Sequence, residues 1–251
     1  VKPKILLLDL ETGFNILKLF SLYQPGKTIP YSAIQQERYI ICGSIKEFGK
    51  DTVWSYHVKP SDPTNDKSVV AMLIKALEDA DAVIAHNGDE FDLKYINTRA
   101  VYHGLSPLPN IKQIDTLKLA RKKFNFNSNR LDYLGQFLKV GKKINAPQSL
   151  WSDALTGSAE AIDKLLKYNV QDVRLLEEVY KKIAPFCEAS LNHALFAEEG
   201  EIVCPLCGSE SYQKRGFVPS KTGLYQRYQC KECNHWFQGT TTILKTGVKS
   251  K

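Results

Sequence analysis

The chain has 251 residues, 43% of them hydrophobic and 24% charged, enough for one large domain with a core and a small appendage. No apolar run reaches the length of a membrane span, and the N-terminal VKPKILLLDLE is no signal peptide, because its short apolar run ends in carboxylates. The net charge is +7, of which residues 201–251 supply +5, so a basic tail on a nearly balanced body points to a polyanionic partner.

In chain order, KILLLDLE (4–11) reads as a central strand, apolar on both faces. Residues 12–35 contain Gly, Pro and several aromatics and form an insertion or flap. RYIICGSIKEF and TVWSYHV, separated by the turn GKD, form an antiparallel hairpin. DPTNDKSVVAMLIKALEDA is a helix, DAVIAHN a strand, and EFDLKYINTRAVYHG a helix stopped by Gly104. IKQIDTLKLARKKF is a short strand running into a helix, and LDYLGQFLKV is another helix. The longest helix, SAEAIDKLLKYNVQDVRLLEEVYKKI, ends at Pro185 and turns Leu165, Leu166, Val173, Leu176 and Val179 to the core. The expected result is an α/β domain with a mixed sheet over residues 1–188, a linker over 189–201 and a small unit over 202–251.

Three segments carry unusual carboxylates. Asp9 and Glu11 are two apart on the first strand, so they share a face, and each raises the other's pKa unless a cation lies between them. Asp92 opens the helix after DAVIAHN, where Asn87 can hold the turn through backbone bonds. Its neighbours Asp89 and Glu90 face water as first-turn acids. Tyr168 and Asp172 are four apart on the long helix and lie on one face beside its core leucines. Taken singly, each segment has an ordinary explanation.

Taken together, D-x-E, N-x-x-x-F-D and Y-x-x-x-D occur in the order of the DEDD 3′–5′ exonuclease superfamily, and this chain resembles its tyrosine branch. HNGDEFD is similar to the proofreading exonuclease of family B DNA polymerases and to its stand-alone relatives in bacteria and phages. The resemblance covers residues 4–182. It implies a ribonuclease H-like fold, a mixed sheet flanked by helices and opened by three antiparallel strands. It also implies two Mg²⁺ or Mn²⁺ ions held by Asp9, Glu11, Asp92 and Asp172. Asp9, Glu11 and Asp172 would hold the ion carrying the attacking water, and Asp92 would act through the waters of the second. Tyr168 would orient the attacking water.

The implied substrate is nucleic acid with a single-stranded 3′ end, DNA favoured over RNA. Asn87 is a candidate nucleic-acid contact, and a replication or repair protein is a possible partner. The expected setting is the cytosol of a bacterium or a phage-infected host. The reading requires the acids to converge with no lysine or arginine fixed among them. Two alternatives remain: a structure-specific endonuclease whose groove is reshaped by residues 12–35, and a nucleic-acid-binding adaptor without catalysis.

Cys42 and Cys187 read as buried bystanders, whereas CPLC and CKEC, 22 residues apart, fit one structural Zn²⁺ on Cys204, Cys207, Cys230 and Cys233. The spacing resembles a zinc ribbon. His235 is not needed as a ligand, because four thiolates already close the coordination. Between the knuckles, Lys214, Arg215, Lys221 and Arg227 are candidate phosphate contacts, while Tyr228 and Trp236 are expected to build the ribbon's own core. Protein docking by the ribbon is the other possibility.

Overall fold

The computed structural model describes residues 2–19, 21, 28–220 and 223–245. β1 (Ile5–Thr12) is the central strand of a five-stranded sheet. On one side it pairs antiparallel with β4 (Ile40–Glu47), which pairs antiparallel with β5 (Val53–His57). On the other it pairs parallel with β6 (Ala82–Ala85), which pairs parallel with β7 (Lys112–Asp115). The expected mixed sheet opened by three antiparallel strands is therefore present. Among the described residues of the expected insertion, β2 (Ile16–Leu17) and β3 (Ile34–Gln36) pair as a small separate ribbon, while residues 20 and 22–27 lie outside the described residues.

Alternation along β1 divides the core. Leu6, Leu8 and Leu10 face a cluster with Val69, Leu73 and Leu77 of α1 (Lys67–Leu77) and Ile96 of α2 (Asp92–His103). Ile5 and Leu7 face the opposite cluster, with Ala120 of α3 (Thr116–Lys123) and Leu131 and Leu134 of α4 (Leu131–Phe137). The same cluster includes Val173, Leu176 and Val179 of the long helix Ala159–Ile183. Before that helix comes a short one that periodicity does not foresee, α5 (Ser149–Leu155), which makes the long helix α6. The Ser158 hydroxyl caps α6 by accepting from the amide of Ala161 at 3.3 Å. α1 begins at Lys67, later than its pattern, because Asp66 turns its carboxylate inward instead of extending the helix.

Buried ion pairs fasten these layers. Asp66, fully buried, accepts from Arg99 Nε and Nη2, both at 2.7 Å, from the Ile40 amide at 2.9 Å and from His103 Nε2 at 2.6 Å. Glu177 on α6 pairs with Lys46 of β4 and accepts from the Gly49 amide at 2.8 Å. Cys42 and Cys187 are both buried, free thiols.

After α6, β8 (Tyr212–Pro219), β9 (Gly223–Cys230) and β10 (Trp236–Lys245) form their own antiparallel sheet, with β9 central. Tyr228 is buried against Tyr212 and Phe237, as expected. Trp236 differs: it is 48% exposed with Arg227 over its ring at 5.2 Å, because a ribbon this thin has room for one aromatic layer. The ribbon sits at the end of α6, where His235 Nδ1 donates to the Pro185 carbonyl at 3.0 Å and Leu206 packs on the second core cluster. Among the described residues no helix is long and apolar enough to cross a membrane.

Candidate active site

The end of β1 carries the first two acids. Ile5 and Leu7 fill the α6 side of the sheet, and the period of two then places Asp9 and Glu11 on that same side, opposite Ser44 and Cys42 of β4. α6 crosses this edge and supplies Asp172, fully buried. Carboxylate oxygens of Asp9, Glu11 and Asp172 lie within 4.8 Å of one another.

Asp92 approaches from the β6–α2 turn. Asn87 takes the left-handed conformation there, with φ of 72°, which asparagine tolerates better than most residues. Its carbonyl accepts from the amides of Glu90 and Phe91, and its own amide donates to Asp115 Oδ1 at 3.0 Å. A Cβ on Gly88 would lie 2.3 Å from Ala85 Cβ, so only glycine lets the turn fold back this tightly. The result buries Asp92 to 5% exposure. Asp92 stands outside the trio, yet after burial its charge is the largest influence raising Asp9. Asp89 and Glu90 lie outside the cluster and pair with Lys118, and Glu90 also with Lys94.

The electrostatics record a deficit of positive charge. Burial, then Asp92, Glu11 and Asp172, lifts Asp9 well above the carboxylate range. Burial, then Asp172, lifts Glu11 to about 7. Burial also lifts Asp92 to about 7, against the backbone amides of Asp92 itself and Leu10. Asp172 is raised by burial despite Lys143, and its Oδ1 is buried without a hydrogen-bond partner. Tyr168, one turn before Asp172, is pushed up to about 12 by burial and then by Asp172.

Hard carboxylate oxygens without histidine or thiol among them suit divalent cations of the Mg²⁺ and Mn²⁺ class. The orphaned Asp172 oxygen and the raised carboxylates fit such a ligand.

Sequence reasoning missed four participants. Lys143, on the segment between α4 and α5, places Nζ 2.5 Å from Asp172 Oδ2 and 3.3 Å from the Tyr168 hydroxyl. The expectation that no lysine stands among the acids is thereby corrected. The side chain is 29% exposed and, among the described residues, its ammonium bonds Asp172 and Tyr168, so one cation at the edge faces four acids. Asn169 Nδ2 donates to Asp9 Oδ2 at 2.6 Å, and Trp151 Nε1 donates to Glu11 Oε2 at 3.1 Å. Asp115 caps α3 by accepting from the amides of Leu117 and Lys118. Only Asp115 left a sequence signal, as an N-cap aspartate before a helical pattern.

A cleft of about 660 Å³ runs beside the acids, lined by His86, Asn87, Arg121, Asn129, Arg130 and Lys143. Arg121 and Arg130 are exposed at its wall.

The four cysteines form a second cluster. Cys204 Sγ is 3.6 Å from Cys233 Sγ, and Cys207 Sγ is 3.7 Å from Cys230 Sγ. These separations exceed a disulfide bond and match the edge of a tetrahedron with metal–sulfur bonds of about 2.3 Å, compatible with a zinc ribbon. His235 uses Nδ1 on the Pro185 carbonyl at 3.0 Å. Lys214, Arg215 and Arg227 are exposed on β8 and β9, and Lys221 lies outside the described residues.

Comparison with known proteins bears on this geometry. The profile of the RNase_H superfamily matches residues 34–184. Over 66 residues the chain is 41% identical to the DNA polymerase III PolC-type of Ureaplasma parvum serovar 3, covering 26% of this chain and 4% of that protein. The structure of the family B DNA polymerase from the hyperthermophilic archaeon Pyrobaculum calidifontis superposes with a TM-score of 0.55 at 16% identity. It covers 73% of this chain and 25% of that one. The chain thus spans only a small part of the length of either relative.

Proposed function

This chain belongs to the RNase_H superfamily, and on that premise we propose that it is a metal-dependent 3′–5′ exonuclease acting on single-stranded nucleic-acid ends, DNA by preference. The observation that carries the reading is the meeting of Asp9, Glu11 and Asp172, short of donors, at the open end of a sheet. Two Mg²⁺ or Mn²⁺ ions on Asp9, Glu11 and Asp172, with Asp92 acting through waters, would activate a water and offset charge on the departing 3′-oxygen.

The chain's own residues supply the rest. Tyr168 stays protonated at neutral pH, so its hydroxyl orients the attacking water and does not take its proton. Asn87, Arg121 and Arg130 line the neighbouring cleft and meet the phosphates of the strand. Lys143, on an irregular segment and 29% exposed, holds the charge of Asp172 in this structure and would have to leave it for cations to bind there.

The body over 1–188 is the nuclease, 189–201 the linker, and 202–251 a ribbon closed by one Zn²⁺. From Asp172 to the end of α6 is about 16 Å at 1.5 Å per residue, so the ribbon serves the strand away from the scissile end. There Lys214, Arg215 and Arg227 face phosphates, and the exposed Trp236 ring offers a stacking face. The setting is cytosolic, with a replication or repair protein as partner.

The test is incubation of 5′-labelled single-stranded DNA and RNA with the protein in Mg²⁺ or Mn²⁺. A ladder shortening stepwise from the 3′ end, faster on DNA, is expected. Internal cuts would replace the exonuclease with an endonuclease, and binding without cleavage would leave an adaptor.

A further inference from the structure

The carboxylates of the cluster are not held alike. Asp9 is bonded by Asn169, a neighbour of Tyr168 on the same helix, so its support belongs to α6 itself. Glu11 is bonded from a separate element, α5, through the indole N–H of Trp151 at 3.1 Å. The same indole ring meets Tyr168 edge-on, with centroids 5.7 Å apart and planes at 76°. One half-buried side chain therefore touches both a candidate metal ligand and the tyrosine proposed to orient water. α5 is seated firmly enough to do this. A Cβ on Gly13 would lie 2.6 Å from Leu155 Cδ2, so the last turn of α5 packs on the chain just beyond Glu11, and Ala154 is fully enclosed.

We propose that Trp151 is a positioning residue: its N–H turns Glu11 so that one carboxylate oxygen is reserved for the divalent cation, while its ring fixes the side chain of Tyr168. The inference rests on the metal-dependent reading of the acid cluster. A carboxylate free to rotate presents a ligand oxygen only part of the time, and a donor on the other oxygen removes that freedom. Outer partners of this kind are worth about 10–100-fold in metal affinity. The phenol is held through its ring, because an edge-to-face contact resists rotation out of its plane. The two tasks are separable, since phenylalanine keeps a ring and lacks the N–H.

The experiment uses the full chain with its zinc in place. Mn²⁺ binding without substrate is measured by electron paramagnetic resonance for wild type, Trp151→Phe, Trp151→Ala and Glu11→Gln, with thermal melts as the control for folding. Wild type should bind Mn²⁺ and Glu11→Gln should bind it poorly. Trp151→Phe should bind about 10–100-fold more weakly, with kcat at saturating Mn²⁺ within a few-fold of wild type. Trp151→Ala should show the same loss of affinity and an added fall in kcat. Wild-type Mn²⁺ affinity in Trp151→Phe overturns the inference and leaves the metal reading standing. Failure of wild type to bind Mn²⁺, or binding unaffected by Glu11→Gln, sinks both.

Discussion

Two sets of buried acids in this fold have opposite surroundings. Asp66 at the foot of α1 receives two hydrogen bonds from Arg99, one from His103 and one from the Ile40 amide, and these hold its carboxyl below the ordinary 3.8 although burial alone would raise it. Asp9, Glu11, Asp92 and Asp172 share one lysine and a few donors, and all four are raised. Burial is common to both sets, so burial alone does not mark a functional acid. What separates them is the balance of donors. Asp66 is satisfied by protein and ties α1, α2 and β4 together, whereas the cluster is left with a deficit that a ligand must make good.

The largest effect expected from this contrast is on turnover. Asp172→Ala should reduce hydrolysis to background while the melting temperature of the metal-free protein holds or rises, because a strained charge has been removed. Loss of fold in that variant would place Asp172 with the struts. Asp66→Ala should do the reverse. Leaving Arg99 buried without its carboxylate costs about 3–5 kcal/mol, read from denaturant melts, while turnover per folded molecule stays at the wild-type value. A melt within about 1 kcal/mol of wild type would show that the buried pair contributes little net stability.

Only the cluster's side of this contrast was legible in the sequence; Asp66 sat unremarked in a helical pattern, and the missing parts share a cause. Strand period puts Asp9 and Glu11 on one face and helix period puts Tyr168 and Asp172 on one face, but that these pairs meet, with Asp92 nearby, was only what the resemblance implied. The central strands and the long helix followed from the same periodicity. Lys143, Trp151 and Asn169 join through tertiary contacts, and no spacing advertises those. α5 was invisible because seven residues span barely two turns, too few for a 3.6 period to declare itself. Trp236 was misjudged for a related reason: its exposure depends on how thick the ribbon is, which composition does not report.

A smaller effect concerns pH. Glu11 and Asp92 keep their protons to about pH 7 when folded, but lose them near the ordinary values of 4.5 and 3.8 when unfolded. Between those limits the folded chain binds more protons, so its stability falls as pH rises. Metal-free melts should therefore decline from about pH 4 to 7, and Glu11→Gln should flatten the decline. Asp66 has the opposite sign, since its stabilisation is complete above 3.8 and is lost only as pH falls below that value. A metal-free melting temperature that rises steadily from pH 5 to 7 would contradict the assignment of the deficit to these acids.

The smallest effect tests whether Lys143 is a strut or a stand-in. Were it a strut, as Arg99 is to Asp66, its removal would unfold the site and weaken cation binding. Its placement argues otherwise. The side chain is 29% exposed where Arg99 is 9%, and it leaves Asp172 Oδ1 unpartnered. An ammonium at that position opposes any cation drawn to the same oxygens, at a partly screened interaction on the order of 1 kcal/mol. Lys143→Met keeps the apolar stem and removes the charge. Mn²⁺ should then bind about threefold to tenfold more tightly in the absence of substrate, with the melting temperature little changed. Weaker binding, or a fall in stability comparable with that of Asp66→Ala, would make the lysine part of the frame.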